Sequence, residues 1–276
     1  LRSTQRPNIN NGEEFAEWYS IHKSVESSNK TFKMISLGAH TGIPIVNAYK
    51  YIQKFKPTLE HNYIAVEADE NMIKIMKENL KENNINLDNI SIIESAISHD
   101  SKPTFFASSK VPNGMTQVYY NKDAICKFIK DNNISYQQVA ESLIKECTTT
   151  IPLNMDRGDG LPMDRAEIKI VSSITLSNLI KNKEIIDYLE IDIQGTEYHI
   201  IPQNISLIND KVRWIHLGTH CGHDYHNFMK ETFNKNKWII HIDWLPDSNY
   251  KTPTGDFKTS DGVLSMQNPR FIKNSH

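Results

Sequence analysis

A short apolar run, Phe32 to Leu37, stops at Gly38, and beyond Gly42 the pattern becomes that of a helix, Ile43 to Phe55. A strand that enters a helix through a glycine turn must pack that helix back onto the sheet, and repeats of the unit build a mostly parallel sheet. The unit does repeat. Tyr63 to Val66 reads as a second strand before a helix from Glu70 to Asn83, and Ile90 to Ile93 as a third strand. Asp187 to Ile191, Trp214 to Leu217 and Trp238 to Ile242 add buried-looking strands, and Ser260 to Leu264 reads as a turn into a last one. An opening helix from about Glu13 to Ser27 carries Phe15, Trp18, Tyr19 and His22 at helical spacing. The expected architecture is a Rossmann-like α/β domain with helices on both faces of the sheet.

The alternation breaks between about Ser108 and Glu167, around residues 108–167, too long a stretch for a simple connection. It is expected to hold helices at Lys122 to Asn132 and Tyr136 to Glu146 and a loop at Met155 to Pro162, and it reads as a helical insertion, a lid or substrate-recognition module. A packing embellishment or oligomer contact is the plainer alternative. With this insertion, and with residues 1–30 as a polar tail and first helix, residues 1–276 form one expected domain.

Composition narrows the function. The 276 residues carry a formal net charge of −2 with acids and bases interspersed, which disfavours a nucleic-acid partner. Cys126, Cys147 and Cys221 lie far apart, which argues against a disulfide framework and a cysteine zinc cluster. The segment Leu1 to Asn11 is polar and no run of about 18 apolar residues occurs, so a cytoplasmic chain without a membrane span is expected. A chain without an initiating Met is also compatible with a domain of something longer.

The glycine turn and the acid at the tip of the next strand suggest a nucleoside cofactor. Gly38 and Gly42 let the backbone turn sharply, with Ala39 and His40 between them. Glu67 follows the strand Tyr63 to Val66, where a carboxylate can accept hydrogen bonds from both ribose hydroxyls. Ser95 and Ala96, after the third strand, are placed to meet an adenine edge. A dinucleotide commonly demands G-x-G-x-x-G for its pyrophosphate, and His40 stands where the middle glycine would fall. S-adenosylmethionine has no phosphate, so methyl transfer is preferred over NAD-linked hydride transfer.

These blocks resemble the FkbM family of methyltransferases over roughly Met34 to Ile242, apart from the insertion. Ile35-Ser36-Leu37-Gly38-Ala39-His40-Thr41-Gly42 is similar to the family's "DvGAniG", and Ala65-Val66-Glu67-Ala68-Asp69 to "afEPnp". Glu94 to Ser98 follows, then Val171 to Leu179, similar to "vkvttLddll". The most specific block is Tyr188 to Glu197, similar to "lKiDvEGaE". The resemblance implies a class I fold with a mostly parallel seven-stranded sheet. It also implies S-adenosylmethionine as cofactor, bound by Gly38, Ala39, His40, Gly42, Glu67, Ala68, Ser95, Ala96 and Asp192, and O-methylation of a sugar, glycan or related small molecule. Four positions depart from the pattern. Ser36 replaces Asp, so a hydrogen bond near the cofactor's amino-acid end must come from elsewhere; Ala68 replaces Pro, Glu190 replaces Lys and Gln194 replaces Glu.

Asp192 ends an apolar strand at the carboxyl edge, where ligands bind in open α/β sheets. An acid there can orient or deprotonate a hydroxyl, or hold a divalent ion that does so. Glu197 lies in the first turns of the next helix, and His220 just beyond another strand tip, facing the same crevice. The expected mechanism is in-line displacement with Asp192 or His220 as base, and no metal ligands are assigned. A divalent metal on Asp192 and His220 stays open, as does a decayed binding module in which Ser36 and Gln194 mark lost function. His223 and His226 are expected on a surface face of a helix start, and Asp256 and Asp261 in turns.

Overall fold

The computed structural model describes residues 12–102, 104–109, 118–120, 166–220, 222–252 and 255–272. Helix α1 (Gly12–Ser27) leads into β1 (Thr31–Leu37), α2 (Ile43–Phe55), β2 (Glu60–Glu67), α3 (Glu70–Glu82) and β3 (Ile90–Glu94). Short strands follow: β4 (Ala96–Ser98), β5 (Thr104–Ser109), β6 (Val118–Tyr120), β7 (Ala166–Val171) and β8 (Ser173–Thr175). The second half holds α4 (Leu176–Ile180), β9 (Ile186–Ile191), α5 (Glu197–Lys211), β10 (Val212–Thr219), α6 (His223–Lys235) and β11 (Ile239–Trp244). It closes with β12 (Asn249–Thr252), β13 (Gly255–Lys258) and β14 (Gly262–Gln267).

Seven strands form the central sheet in the order β11-β14-β10-β9-β1-β2-β3. Every pairing is parallel except those of β14, which runs antiparallel to both neighbours. The strands begin and end within a few residues of the boundaries the sequence suggests, because the apolar runs are the parts buried on both faces. β9 is buried along its whole length and β10 along most of it. One face packs Phe32, Ile45, Ile52, Tyr63 and Met76 under α2 and α3, and the other packs Leu37, Leu189, Ile201 and Phe233 under α5 and α6.

The strand order runs from β1 to β2 and β3 in one direction and from β9 to β10 in the other. The crevice outside the carboxyl ends of β1 and β9 is therefore the topological switch point, the usual ligand site of such sheets. β5, β6 and β7 form a separate antiparallel ladder in which Ser109 stands opposite Ala166, so the chain departs at Ser109 and returns beside it at Ala166. The two expected helices at Lys122–Asn132 and Tyr136–Glu146, the Met155–Pro162 loop and the three cysteines lie outside the described residues. Among the described residues no helix is long and apolar enough to cross a membrane.

Two glycines differ sharply in what surrounds them. Gly38 has φ +76°, and a Cβ on it would lie 1.9 Å from the Asp192 carbonyl oxygen, whereas a Cβ on Gly222 (φ +90°) would meet nothing within 4 Å. Gly38→Ala is expected to lose roughly 2–5 kcal/mol, a clash added to a left-handed backbone, and Gly222→Ala only about 1 kcal/mol of strain. Denaturant titrations of the two variants beside the parent chain measure both; equal losses would contradict the proposed contact.

Candidate active site

The glycine turn is tied down by backbone bonds. Gly38 N and Ala39 N both donate to Val66 O at 3.0 Å, and Gly42 N donates to Ala39 O at 2.7 Å. Glu67, 3% exposed, anchors the turn to β2: Oε2 accepts from His40 N at 2.7 Å, and Oε1 from Ala68 N at 2.7 Å and Asp69 N at 2.8 Å. A carboxylate offers about four acceptor positions, so room remains for one further donor and not for a pair of hydroxyls. Burial pushes the Glu67 carboxyl up to about 7, against the three backbone donors that favour its charged form. Ala68 supplies an N–H that a proline there would lack. His40 sits at φ 46° with its Nε2 buried and without a partner among the described residues, and burial holds its imidazole below the usual range.

Ser95 and Ala96 spend their backbone donors on the fold, Ser95 N on Glu67 O at 2.9 Å and Ala96 N on Ser172 O at 2.8 Å. Ala96 is buried in β4, and Ser95 is partly exposed beside the end of β3.

The three acid–base residues expected from sequence meet at the ends of β9 and β10. Glu197, fully buried at the start of α5, accepts from Ile193 N at 2.8 Å and Gly195 N at 2.6 Å, which pins the loop carrying Gln194 and Gly195. His220, 3% exposed, lies between two acids: Nδ1 is 3.1 Å from Glu197 Oε1 and Nε2 is 3.2 Å from Asp192 Oδ1. Burial alone would depress its pKa, but the two carboxylates outweigh burial and hold the imidazole well above its ordinary value. His220 therefore serves as a clamp with both nitrogens engaged, Nε2 also lying 3.0 Å from Gln194 Nε2, rather than as a free base.

Desolvation by its neighbours works against the charge on Asp192, yet the His220 hydrogen bond and charge, with the Gln194 amide, hold its carboxyl below the usual range. Gln194 Nε2 donates to Asp192 Oδ1 at 2.9 Å. The side chain of Asp192 is 53% exposed, and its Oδ2 has no hydrogen-bond partner among the described residues. Asp192, Glu197 and His220 could also present one atom each to a metal, all within 4.8 Å of one another. Glu197, however, already accepts two backbone bonds and the imidazole, so a hydrogen-bonded chain describes the set better.

Asp192 and His220 open on a cavity of about 160 Å³ that Glu14, Glu17, Glu190, His216, Gly218, Asp261, Gly262 and Val263 also line. Asp261 thus faces the cavity as well as sitting in a turn. Glu14, Glu17 and His216 escaped the sequence reading, although a histidine inside the apolar run Trp214 to Leu217 was a usable signal. Burial holds His216 down to about 4, so it is neutral, and pushes Glu17 up to about 8. His226 corrects an expectation. It is fully buried rather than on a surface face, with Nδ1 2.7 Å from Thr219 Oγ1 and Nε2 2.8 Å from Asp243 Oδ1. Its helical neighbour His223 reaches Pro246 O at 2.9 Å.

These groups set the pH dependence of stability. Glu67, Glu17, Glu190 and His220 all have folded pKa values above their unfolded ones, so their contribution is present at low pH and lost as pH rises. His216 and His22, held at about 4, act oppositely, but only below their ordinary value of 6.5. Between about pH 4.5 and 6.5 the two sets largely offset one another; above 6.5 the opposition ends, so stability is expected to fall toward pH 8, by about 1.4 kcal/mol per pH unit for each net proton released. Melting curves across that range should show the decline, flattened in a Glu17→Gln chain; a melting temperature that climbs with pH would contradict it.

The methyltransferase FkbM domain matches residues 36–250. None of the curated proteins matches the chain. Among solved structures, it is similar to a ribosomal protein L11 methylase from Lactobacillus delbrueckii subsp. bulgaricus, with TM-score 0.43 and 9% identity over 92% of this chain and 76% of that one. It is also similar to a methyltransferase FkbM from Methylobacillus flagellatus KT, with TM-score 0.44 and 11% identity over 87% of this chain and less than half, 44%, of that one. A human methyltransferase 10 domain containing protein gives TM-score 0.40 and 9% identity over 91% and 81%.

Proposed function

Because the chain belongs to the FkbM methyltransferase family, we propose that it binds S-adenosylmethionine at the glycine turn and methylates a hydroxyl held at Asp192. The preferred acceptor is a sugar, glycan or related small molecule. The observation that carries this is the Glu197–His220–Asp192 chain, which leaves one aspartate oxygen open to the cavity at the switch point. The donor set fits the cofactor. Glu67 retains one acceptor position for a ribose hydroxyl, and a cavity lined by five carboxyl groups suits a ligand bearing a sulfonium and an ammonium.

The bound cofactor supplies a methyl group on a sulfonium, a strong electrophile. The protein's task is alignment and removal of one proton. Glu197 fixes His220 through Nδ1, and His220 with Gln194 fixes Asp192 through Oδ1. Asp192 Oδ2 is then free to accept the acceptor hydroxyl as a hydrogen-bond donor. With its pKa held low, Asp192 is too weak a base to ionise the hydroxyl beforehand, so the proton moves as the methyl does. Afterwards the half-exposed carboxyl returns it to solvent.

Calorimetric titration of S-adenosylhomocysteine is expected to give micromolar binding that weakens at least about tenfold in Glu67→Gln. Asp192→Asn should keep that affinity and lose roughly 10²-fold or more in turnover of any acceptor found in a screen beginning with sugars. A folded chain that binds neither S-adenosylhomocysteine nor S-adenosylmethionine would point instead to a binding module with a decayed site.

A further inference from the structure

Two residues that line the cavity, Glu190 and His216, belong to a row of polar residues across the sheet, where an α/β sheet normally carries its apolar core. Ser36 on β1 stands opposite Glu190 on β9, Glu190 opposite His216 on β10, and His216 opposite Ser265 on β14. All four are buried, at 0%, 5%, 7% and 0% exposure. Helix α1 covers the row: Ser20 Oγ bonds Ser265 Oγ and lies 3.5 Å from His216 Nδ1, while Glu17 accepts from Asn47 Nδ2 at 3.3 Å.

The row is incomplete by itself. Glu190 Oε2 accepts from the Ser36 hydroxyl, but Glu190 Oε1 and His216 Nε2 have no hydrogen-bond partner among the described residues, and both side chains line the cavity. Two polar side chains, each more than nine-tenths buried, thus turn unused acceptors toward the same space. No Lys or Arg lines that space among the described residues, and the His220 imidazole there is taken up by Asp192 and Glu197. Glu190 Oε1 and His216 Nε2 are left to be met from the cavity, and a ligand carrying several N–H donors and positive charge meets them.

We infer that Glu190, held by Ser36 and flanked by Glu17 and His216, binds the ammonium group at the amino-acid end of the cofactor. This rests on S-adenosylmethionine binding as proposed above. Glu190 stands on β9 at the position paired with Ser36, so its carboxylate lies on the strand next to the one that enters the glycine turn. An ammonium has three donors, and Glu190, Glu17 and neutral His216 offer an acceptor each.

The test compares two ligands on the whole chain by calorimetry: S-adenosylhomocysteine, which has the ammonium, and 5′-methylthioadenosine, which shares the nucleoside and lacks the amino-acid end. The parent should bind S-adenosylhomocysteine more tightly. Glu190→Gln should weaken S-adenosylhomocysteine about tenfold or more and leave 5′-methylthioadenosine within about twofold. Equal weakening of both ligands, or no loss for either, overturns the assignment. If the parent binds neither ligand, it is the cofactor reading that fails. Should Glu190→Gln melt near room temperature, Glu17→Gln answers the same question: a selective loss of several-fold supports the assignment, and unchanged affinities overturn it.

Discussion

The carboxyl ends of β1 and β9 meet without a side chain between them, and the rest of the site hangs on that contact. Asp192 N donates to Leu37 O at 3.0 Å, and the space a Cβ would occupy on Gly38 is filled by the Asp192 carbonyl. The closeness fixes where the glycine turn begins and where the Asp192 side chain starts, so two loops far apart in sequence share one frame. From there the turn reaches β2 through Glu67, and the loop after Asp192 reaches β10 through Glu197 and His220. Both links run through a carboxylate that takes backbone donors, Glu67 from the turn and Glu197 from the loop, and Glu197 also holds the His220 imidazole.

A second order of structure lies across the strands rather than along them. The row Ser36–Glu190–His216–Ser265 exists only because parallel β1, β9 and β10 and antiparallel β14 come into one register. Along any single strand, each of these residues is an isolated polar group in an apolar run. Helix α1 gives them their setting, since its Ser20 and Glu17 face the sheet where an apolar helix face would otherwise lie. The first helix is thereby part of the wall of the site as well as a cover for the interior strands β9, β10 and β14.

This explains what sequence could and could not reveal. The glycine turn, Glu67, Asp192, Glu197 and His220 each stand at the end of an apolar run, and period and punctuation suffice to place them at one edge. That His220 would be clamped at both nitrogens was not legible, because it depends on a helix start folding back beneath it. Nor was the burial of His226: three-residue spacing from His223 suggests a shared face, but not that the face turns inward toward Thr219 and Asp243. Glu17 and His216 were missed for the opposite reason. Their local patterns look like an ordinary amphipathic helix and an ordinary buried strand, and only cross-strand register gives them company.

The departures from the family pattern are the best evidence on whether the site has decayed. Random loss would leave polar groups stranded, since a buried donor or acceptor without its partner is costly wherever it falls. Here each departure has a partner. Ser36 bonds Glu190, the departure opposite it, and Ala68 gives Glu67 an N–H that proline lacks. A glutamate in place of Gln194 would set a second carboxylate against Asp192, whereas the amide donates to it. Ser36 and Glu190 thus answer each other, and Ala68 and Gln194 each bring a donor to an acid of the site. Among the described residues, buried atoms such as Tyr63 Oη, Tyr188 Oη and Trp214 Nε1 also lack a partner, but they belong to core residues that do not line the cavity. Glu190 Oε1 and His216 Nε2 differ from these in belonging to residues that line the cavity, where a ligand can meet them.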